Sequence, residues 1–242
     1  MKKGTIKELI LSYSKDKYYF HIDDLKKYLS RRRVKFKNNS LKQNLYFLKK
    51  NEQIHEAGRA WYSTIKNTFV LDTKSIEKIV SLIYKKFPFI EFSCWSTEQL
   101  KIFYHHLPSQ FVTFIYADKD YLPSLKDFLT DNNYNVFLNP YKSEVDKYVE
   151  LKGKTIILRA FVLPRKAEKE SGASIEKILV DLFMETKKIN LMDSEEYKRI
   201  FSNIVLNSRI NMAELLDYAE RRKIKEKIQN TITSSLYTNA TF

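Results

Sequence analysis

Three stretches with helical apolar spacing, followed by two short extended stretches around a glycine, fill roughly the first 65 residues, and this order constrains the fold more than any other feature of the chain. Ile6, Leu9, Ile10 and Tyr13 recur at i, i+3, i+4 and i+7, one face of a first helix. Phe20 to Ile22 reads as extended, after which Asp23 or Asp24 can cap a second helix carrying Leu25, Tyr28 and Leu29. A basic linker, Arg31 to Lys37, leads to Asn38, Asn39 and Ser40, good N-cap types, ahead of Leu41, Leu45 and Leu48 in a third helix. Gln53 to Ala57 and Ala60 to Thr64 tolerate extended structure and are separated by Gly58 and Arg59, a two-residue hairpin connection. Helix, helix, helix and hairpin is the order of a winged helix-turn-helix, whose third helix enters the major groove.

Charge follows the same division. The 242 residues carry a formal net charge of +14. Residues 1 to 67 hold 17 Lys and Arg against 6 Asp and Glu, net +11, while residues 68 to 242 hold 26 against 23, net +3. A basic module of this kind points to an anionic partner, and with the helical order it points to double-stranded DNA. Hydrophobic residues at 43% and aromatics at 14% exclude a disordered chain. Cys94 is the sole cysteine, which excludes an intramolecular disulfide and fits a reducing cytosol. No apolar run approaches the roughly 20 residues of a membrane span, and no hydrophobic signal core follows Met1, Lys2 and Lys3. The expected location is cytoplasmic, with no membrane partner.

Beyond Asp72 the pattern changes. Ile76, Ile79, Val80 and Ile83 make a connecting helix that Pro88 closes. Phe89 to Trp95, Phe111 to Ala117, Tyr134 to Leu138 and Thr155 to Phe161 suit buried strands, with helical stretches at Thr97 to Tyr104 and Tyr121 to Thr130. Lys166 to Ser174 reads as a loop. Ser174 then caps a helix with Ile175, Ile178, Leu179 and Leu182 on its apolar face, and helical character continues to about Ile228. The expected fold class is α+β: a winged helix-turn-helix over residues 1–67, a larger mixed α/β domain with C-terminal helices over 68–230, and a frayed tail over 231–242.

The candidate DNA-binding residues are Arg31, Arg32, Arg33, Lys35, Lys37, Asn39, Ser40, Lys42, Gln43, Asn44 and Arg59. Gln43 and Asn44 can pair bidentately with adenine, the cations serve mainly as phosphate contacts, and Arg59 at the hairpin tip suits a minor groove. Each of them is equally readable as part of a solvated helical surface. In the larger domain, Glu91, Asp118, Asp120 and Lys154 sit beside strands, where carboxylates and a lysine can hold a metal for phosphoryl chemistry. Turn and capping roles explain Asp118-Lys119-Asp120 without a metal. His105-His106 lacks a zinc spacing, since adjacent helical positions do not share a face. Cys94 beside Trp95 reads as core rather than nucleophile. The sequence has no Walker loop, no GxSxG elbow and only four Gly. The expectation is a protein without catalysis, metal or cofactor. The alternative is a nuclease or nucleotidyltransferase delivered to DNA by the winged helix.

The basic N-terminal module, then Phe92-Ser93-Cys94-Trp95-Ser96-Thr97-Glu98, Ser174 to Leu182 and Ile210 to Arg222 in that order, resembles the AbiEi-like antitoxins of type IV toxin-antitoxin systems. The resemblance covers nearly the whole chain and rests on the order of soft helix signatures. It implies a repressor that binds inverted repeats in its own promoter through the N-terminal domain. It further implies a C-terminal domain that counteracts a nucleotidyltransferase-like toxin without requiring a stable complex. Within those stretches, Glu176 and Asp181 read as polar positions near an apolar helix face. Arg221 and Arg222 form a basic helix end that can complement the helix dipole or touch DNA.

Overall fold

The computed structural model describes residues 5–141, 154–161 and 171–238 of an α+β chain that divides into two compact units. The first unit comprises the residues up to Phe69, then Ser202–Asp217 and the stretch from Lys225 onward, and the second comprises Val70–Phe201 and Tyr218–Ile224.

In the first unit the early elements follow the expected order. They are α1 (Ile6–Ser14), β1 (Tyr19–His21), α2 (Ile22–Arg31), α3 (Asn38–Lys50), β2 (His55–Glu56) and β3 (Trp61–Ser63). Thr5 and Glu8 form a reciprocal capping box on α1, in which two otherwise unpaired backbone donors find acceptors. The N-caps of α2 and α3 differ from expectation. His21 caps α2 through Nδ1, and Asp23 and Asp24 fall in the first turn, where they complement the helix dipole and pair with Lys26 and Lys27. Lys37 is the N-cap of α3 and makes no side-chain cap bond, so Asn38, Asn39 and Ser40 are already helical. The three strands form an antiparallel sheet in the order β1-β3-β2. Ile10 of α1, Leu25 and Leu29 of α2, and Leu41, Leu45 and Leu48 of α3 converge with Phe20 and Ile54 in one core. Such side chains contribute about 1.5–3 kcal/mol each on burial, set against the entropy of ordering the chain.

The C-terminal part of this unit departs from the expected domain boundaries. Tyr19 Oη donates to the Ser208 carbonyl at 2.9 Å and accepts from the Ile210 amide at 3.1 Å. The Arg209 guanidinium donates to the carbonyls of Ile65 and Lys66 and to Thr68 Oγ1, beside a parallel bridge between Thr68 and Arg209. Residues near 209 therefore close the same unit that residues 5–69 open. The expected frayed tail is largely helical as well. The last helix, α9 (Lys225–Thr238), buries Ile228, Thr231 and Ser235, and Ser235 shares a hydrogen bond with Ser202 at 2.7 Å.

The second unit is built on a four-stranded sheet of β4 (Phe92–Ser96), β5 (Val112–Ala117), β6 (Asn135–Leu138) and β7 (Thr155–Ala160), in the order β4-β5-β7-β6. β4 runs antiparallel to β5, while β5, β7 and β6 are parallel. In register, Cys94, Ile115 and Leu158 share one face, which α4 (Lys74–Lys86) and α5 (Leu122–Asp131) cover through Ile76, Ile79, Ile83, Leu122, Leu125 and Leu129. Trp95, Phe114 and Ile157 share the other face, with Trp95 stacked on Phe114 at 4.5 Å between centroids. Thr97–Phe103 is a 3-10 helix. Of the expected loop from Lys166 to Ser174, only Ser171 onward lies within the described residues. The helix α6 (Ile175–Ile189) starts at the expected Ser174 cap and is buried on most of its circumference. Two helices, α7 (Ser194–Asn207) and α8 (Met212–Arg221), complete the chain order, and the unit boundaries fall within each of them. Among the described residues no helix is long and apolar enough to cross a membrane.

Candidate nucleic-acid interface

The buried stripe of α3 fixes which of its side chains face solvent. With Leu41, Leu45 and Leu48 in the core, Asn39, Lys42, Gln43, Tyr46, Phe47 and Lys50 are left exposed. Lys42 and Arg59 come together along one open groove with Lys26, Lys49, Tyr46 and Tyr62. Lys26 is paired with Asp23 at 2.9 Å and Lys49 with Glu56 at 3.1 Å, whereas Lys42 and Arg59 have no acidic partner among the described residues. Lys42 and Arg59 thus leave the groove electropositive, and Lys26 and Lys49 add to it, since exposed ion pairs of that kind stabilise by only about 0–1 kcal/mol and hold their cations loosely.

The other candidates are placed differently. Arg31 ends α2, Arg32 is its C-cap, and Arg33 takes a left-handed conformation at φ 56° as the chain turns toward α3. Three cations at a helix C-terminus complement its dipole, so part of their role is local. The Arg32 guanidinium also lies over the Tyr28 ring, 4.7 Å from its centroid. Lys35 and Lys37 are exposed on the connection and do not line the groove. Asn39 and Gln43 are exposed on α3, and Ser40 is half-buried. Asn44 is also half-buried, and its Nδ2 donates to the Ser40 carbonyl at 2.8 Å. That bond holds the amide along its own helix, which leaves Asn39 and Gln43 as the exposed amides among these candidates.

Arg59 lies in a turn between strands of only two and three residues, so the hairpin does not project far, and Arg59 lines the groove beside α3. The turn is held from behind. Gly58 has φ +100°, and a Cβ there would stand 2.0 Å from Asn211 Oδ1. Asn211 Oδ1 in turn accepts from the Glu214 amide at 3.1 Å, capping α8. Only glycine satisfies both the backbone conformation and the close approach.

The second unit encloses its charge. Glu185 Oε1 and Oε2 accept from Arg159 Nε at 3.1 Å and Nη2 at 2.5 Å, while Arg159 Nη1 donates to the Pro140 carbonyl at 3.0 Å. Both side chains are 5% exposed or less, so every hydrogen bond counts against a large desolvation cost. One turn earlier on α6, Asp181 accepts from Tyr218 Oη at 3.0 Å and lies 3.1 Å from Arg222 Nη2. That ion pair is off hydrogen-bond alignment, and Arg222 Nε and Nη2 have no hydrogen-bond acceptor among the described residues. Burial pushes the Asp181 carboxyl up to about 6, opposed by Arg222 and by the Tyr218 hydrogen bond. Arg222 is thus buried in an ion pair and is not available to DNA. Asp181 and Glu185 are likewise interior groups and not part of a solvated polar face.

The strand-end candidates also have local partners. Asp118 Oδ1 accepts from the Asp120 amide at 3.3 Å, a turn contact. Cys94 is fully buried in β4, and burial pushes its thiol up, away from the reactive thiolate. The His105 and His106 rings meet edge to face at 4.1 Å. Among the described residues no three His, Cys, Asp or Glu converge on a common point.

Fold and surface together define an α+β protein with a basic, groove-bearing helical unit and a sheet unit stiffened by buried ion pairs. The chain belongs to DUF6577, a family of unknown function, whose sequence model matches residues 40–238, from α3 through α9. No curated protein matches the chain.

Proposed function

We propose that the protein is a DNA-binding regulator whose first unit acts as a winged helix-turn-helix, with α3 in the major groove of duplex DNA. The observation that carries this reading is the groove along α3, where Lys42 and Arg59 stand without acidic partners between Lys26 and Lys49. The helix and strand order, with an antiparallel sheet β1-β3-β2 beside α2 and α3, supports it. In the fuller form of the reading, supported by the resemblance to AbiEi-like antitoxins, the protein is cytoplasmic, represses its own promoter through inverted repeats, and counteracts a nucleotidyltransferase-like toxin.

The test uses the full chain and a pool of random-sequence duplexes. Affinity should fall by roughly 10²–10³ between about 50 and 200 mM salt for about five phosphate contacts, at a slope near −0.9 per contact. Absence of duplex binding at low salt, or binding indifferent to salt, overturns the reading. The antitoxin element is tested by growth of cells expressing the toxin of a neighbouring reading frame with and without this protein. Equal arrest in both removes that element and leaves the DNA-binding element standing.

A further inference from the structure

α3 carries two aromatic side chains that its core does not use. Tyr46 is 57% exposed and Phe47 is 46% exposed, and their rings meet at 5.7 Å and 66°. Leu41, Leu45 and Leu48 already supply the buried stripe, so neither ring is needed to hold the helix in place. The Tyr46 hydroxyl makes no hydrogen bond among the described residues, and its ring lines the groove that Lys26, Lys42, Lys49 and Arg59 surround.

An exposed aromatic in a groove that four cations also line fits a ligand that offers negative charge and an apolar group within a few ångströms of each other. A purely phosphate-binding surface calls for cations alone. A purely apolar partner would have to strip water from four charged groups. Duplex DNA has both properties in its major groove, where the thymine 5-methyl group is the apolar feature and the phosphates line the edge. Asn39, Gln43, Tyr46 and Lys50 follow one another at helical spacing on the side of α3 opposite the leucines. Gln43, one turn before Tyr46, presents the amide that pairs with adenine N6 and N7.

Resting on the DNA-binding reading above, we propose that Tyr46 is a specificity-determining residue that packs its ring against a thymine methyl, with Phe47 bracing it and Gln43 on an adjacent A·T pair. The preferred site of this protein then contains consecutive A·T pairs at the place where α3 enters the groove.

The experiment selects the tightest duplex for the full chain from a randomised pool, then replaces each thymine singly by deoxyuridine, which removes the methyl group alone. Affinity should fall about three- to fivefold at one or two positions, the value of one buried methyl group, and stay level at the others. Tyr46→Ala should weaken binding and abolish the distinction between thymine and deoxyuridine. Tyr46→Phe should keep both, because the ring is retained. Since Tyr46 lies outside the core, the unfolding midpoint of each variant should match the parent and separate lost contact from lost fold. Equal affinity for every deoxyuridine duplex, or an unchanged thymine preference in Tyr46→Ala, overturns the proposal while leaving DNA binding intact. Failure to enrich any duplex at low salt overturns the DNA-binding reading itself.

Discussion

The two units treat charge in opposite ways. The first carries 20 Lys and Arg against 9 Asp and Glu and leaves its groove cations at the surface; the second is nearly balanced, at 23 against 20, and encloses Arg159, Glu185, Asp181 and Arg222. Exposed cations are cheap to hold in water and are free to meet an anion. Buried ions pay a desolvation cost that only close, well-aligned partners offset, so they fix geometry within the fold. Excess charge at a surface therefore speaks to partners, and balanced charge in a core speaks to internal order. Each unit also carries its own tryptophan, Trp61 in β3 and Trp95 in β4, so the two can be followed separately by fluorescence of single-tryptophan variants.

The largest effect is expected at the Arg159 and Glu185 pair. Glu185→Ala strands a guanidinium that is 5% exposed and should destabilise the second unit by about 3–5 kcal/mol, read from urea unfolding followed at Trp95. The double replacement Arg159→Met with Glu185→Leu should recover much of that loss, because an apolar pair carries no desolvation cost. If Glu185→Ala unfolds the chain outright, the double variant still reports. A double variant no more stable than the single would show that the pair is stabilising in its own right.

Next in size is a pH effect at Asp181. Its carboxyl is raised from 3.8 to about 6, so the folded state holds the proton more tightly than the unfolded state. This group therefore makes the second unit lose stability as pH climbs from about 4 through 6, by roughly 3 kcal/mol in all at about 1.36 kcal/mol per unit, levelling off about one unit above 6. Subtracting the pH profile of Asp181→Asn from that of the parent isolates the effect. A difference that is flat over this window and rises with pH below about 4 would mean that Arg222 and Tyr218 hold the Asp181 carboxyl below 3.8 instead.

Smaller again is Gly58→Ala. A side chain at φ +100° is strained, and its Cβ would meet Asn211 Oδ1, so a loss of about 1–3 kcal/mol in the first unit is expected, visible at Trp61 and not at Trp95. Adding Asn211→Gly should not restore stability, because Ala213 Cβ would still lie 2.8 Å from the new methyl group and the α8 cap would be lost.

These positions also mark what the sequence could disclose. The three leucines of α3 and the apolar faces of α1 and α2 were legible because each is a local period matching a buried face, and the four strand runs from their aromatic and β-branched composition. The N-caps were less so: Asp, Asn and Ser are good cap types, yet chain direction, set by β1 and by the turn at Arg33, decides where each helix starts. Closure of the first unit by the region around Arg209 was not legible, since the Tyr19 to Ser208 hydrogen bond spans 189 positions and leaves no periodic trace. Lys42 could be found from charge and helical position, and Arg59 from charge and its place in the hairpin turn. Lys26 and Lys49 could not, because only the fold brings them to the same groove. Tyr46 was discoverable: once Leu41, Leu45 and Leu48 fill the stripe, an aromatic one position beyond Leu45 must face away from it. Asp181 and Glu185 had a signal too, being carboxylates i, i+4 apart in an otherwise apolar stretch, but their basic partners lie on β7 and just after α8.

The smallest stability effect, and the sharpest contrast with Glu185→Ala, is expected at Lys42. Its side chain is exposed, has no acidic partner among the described residues and belongs to no core, so Lys42→Ala should change unfolding stability by no more than about 0.5 kcal/mol. If Lys42 contacts a phosphate, the same substitution removes one released counterion, and the slope of log affinity against log salt should become shallower by about 1. The loss should be uniform across duplex sequences, since a phosphate contact carries no base information. Arg59→Ala should behave alike, and the two changes together should flatten the slope by about 2 if each meets its own phosphate. An unchanged slope in the double variant would move the DNA-facing surface away from this groove, toward the cations that follow α2. A marked loss of stability would instead mean that the first unit, like the second, uses its charge to hold itself together.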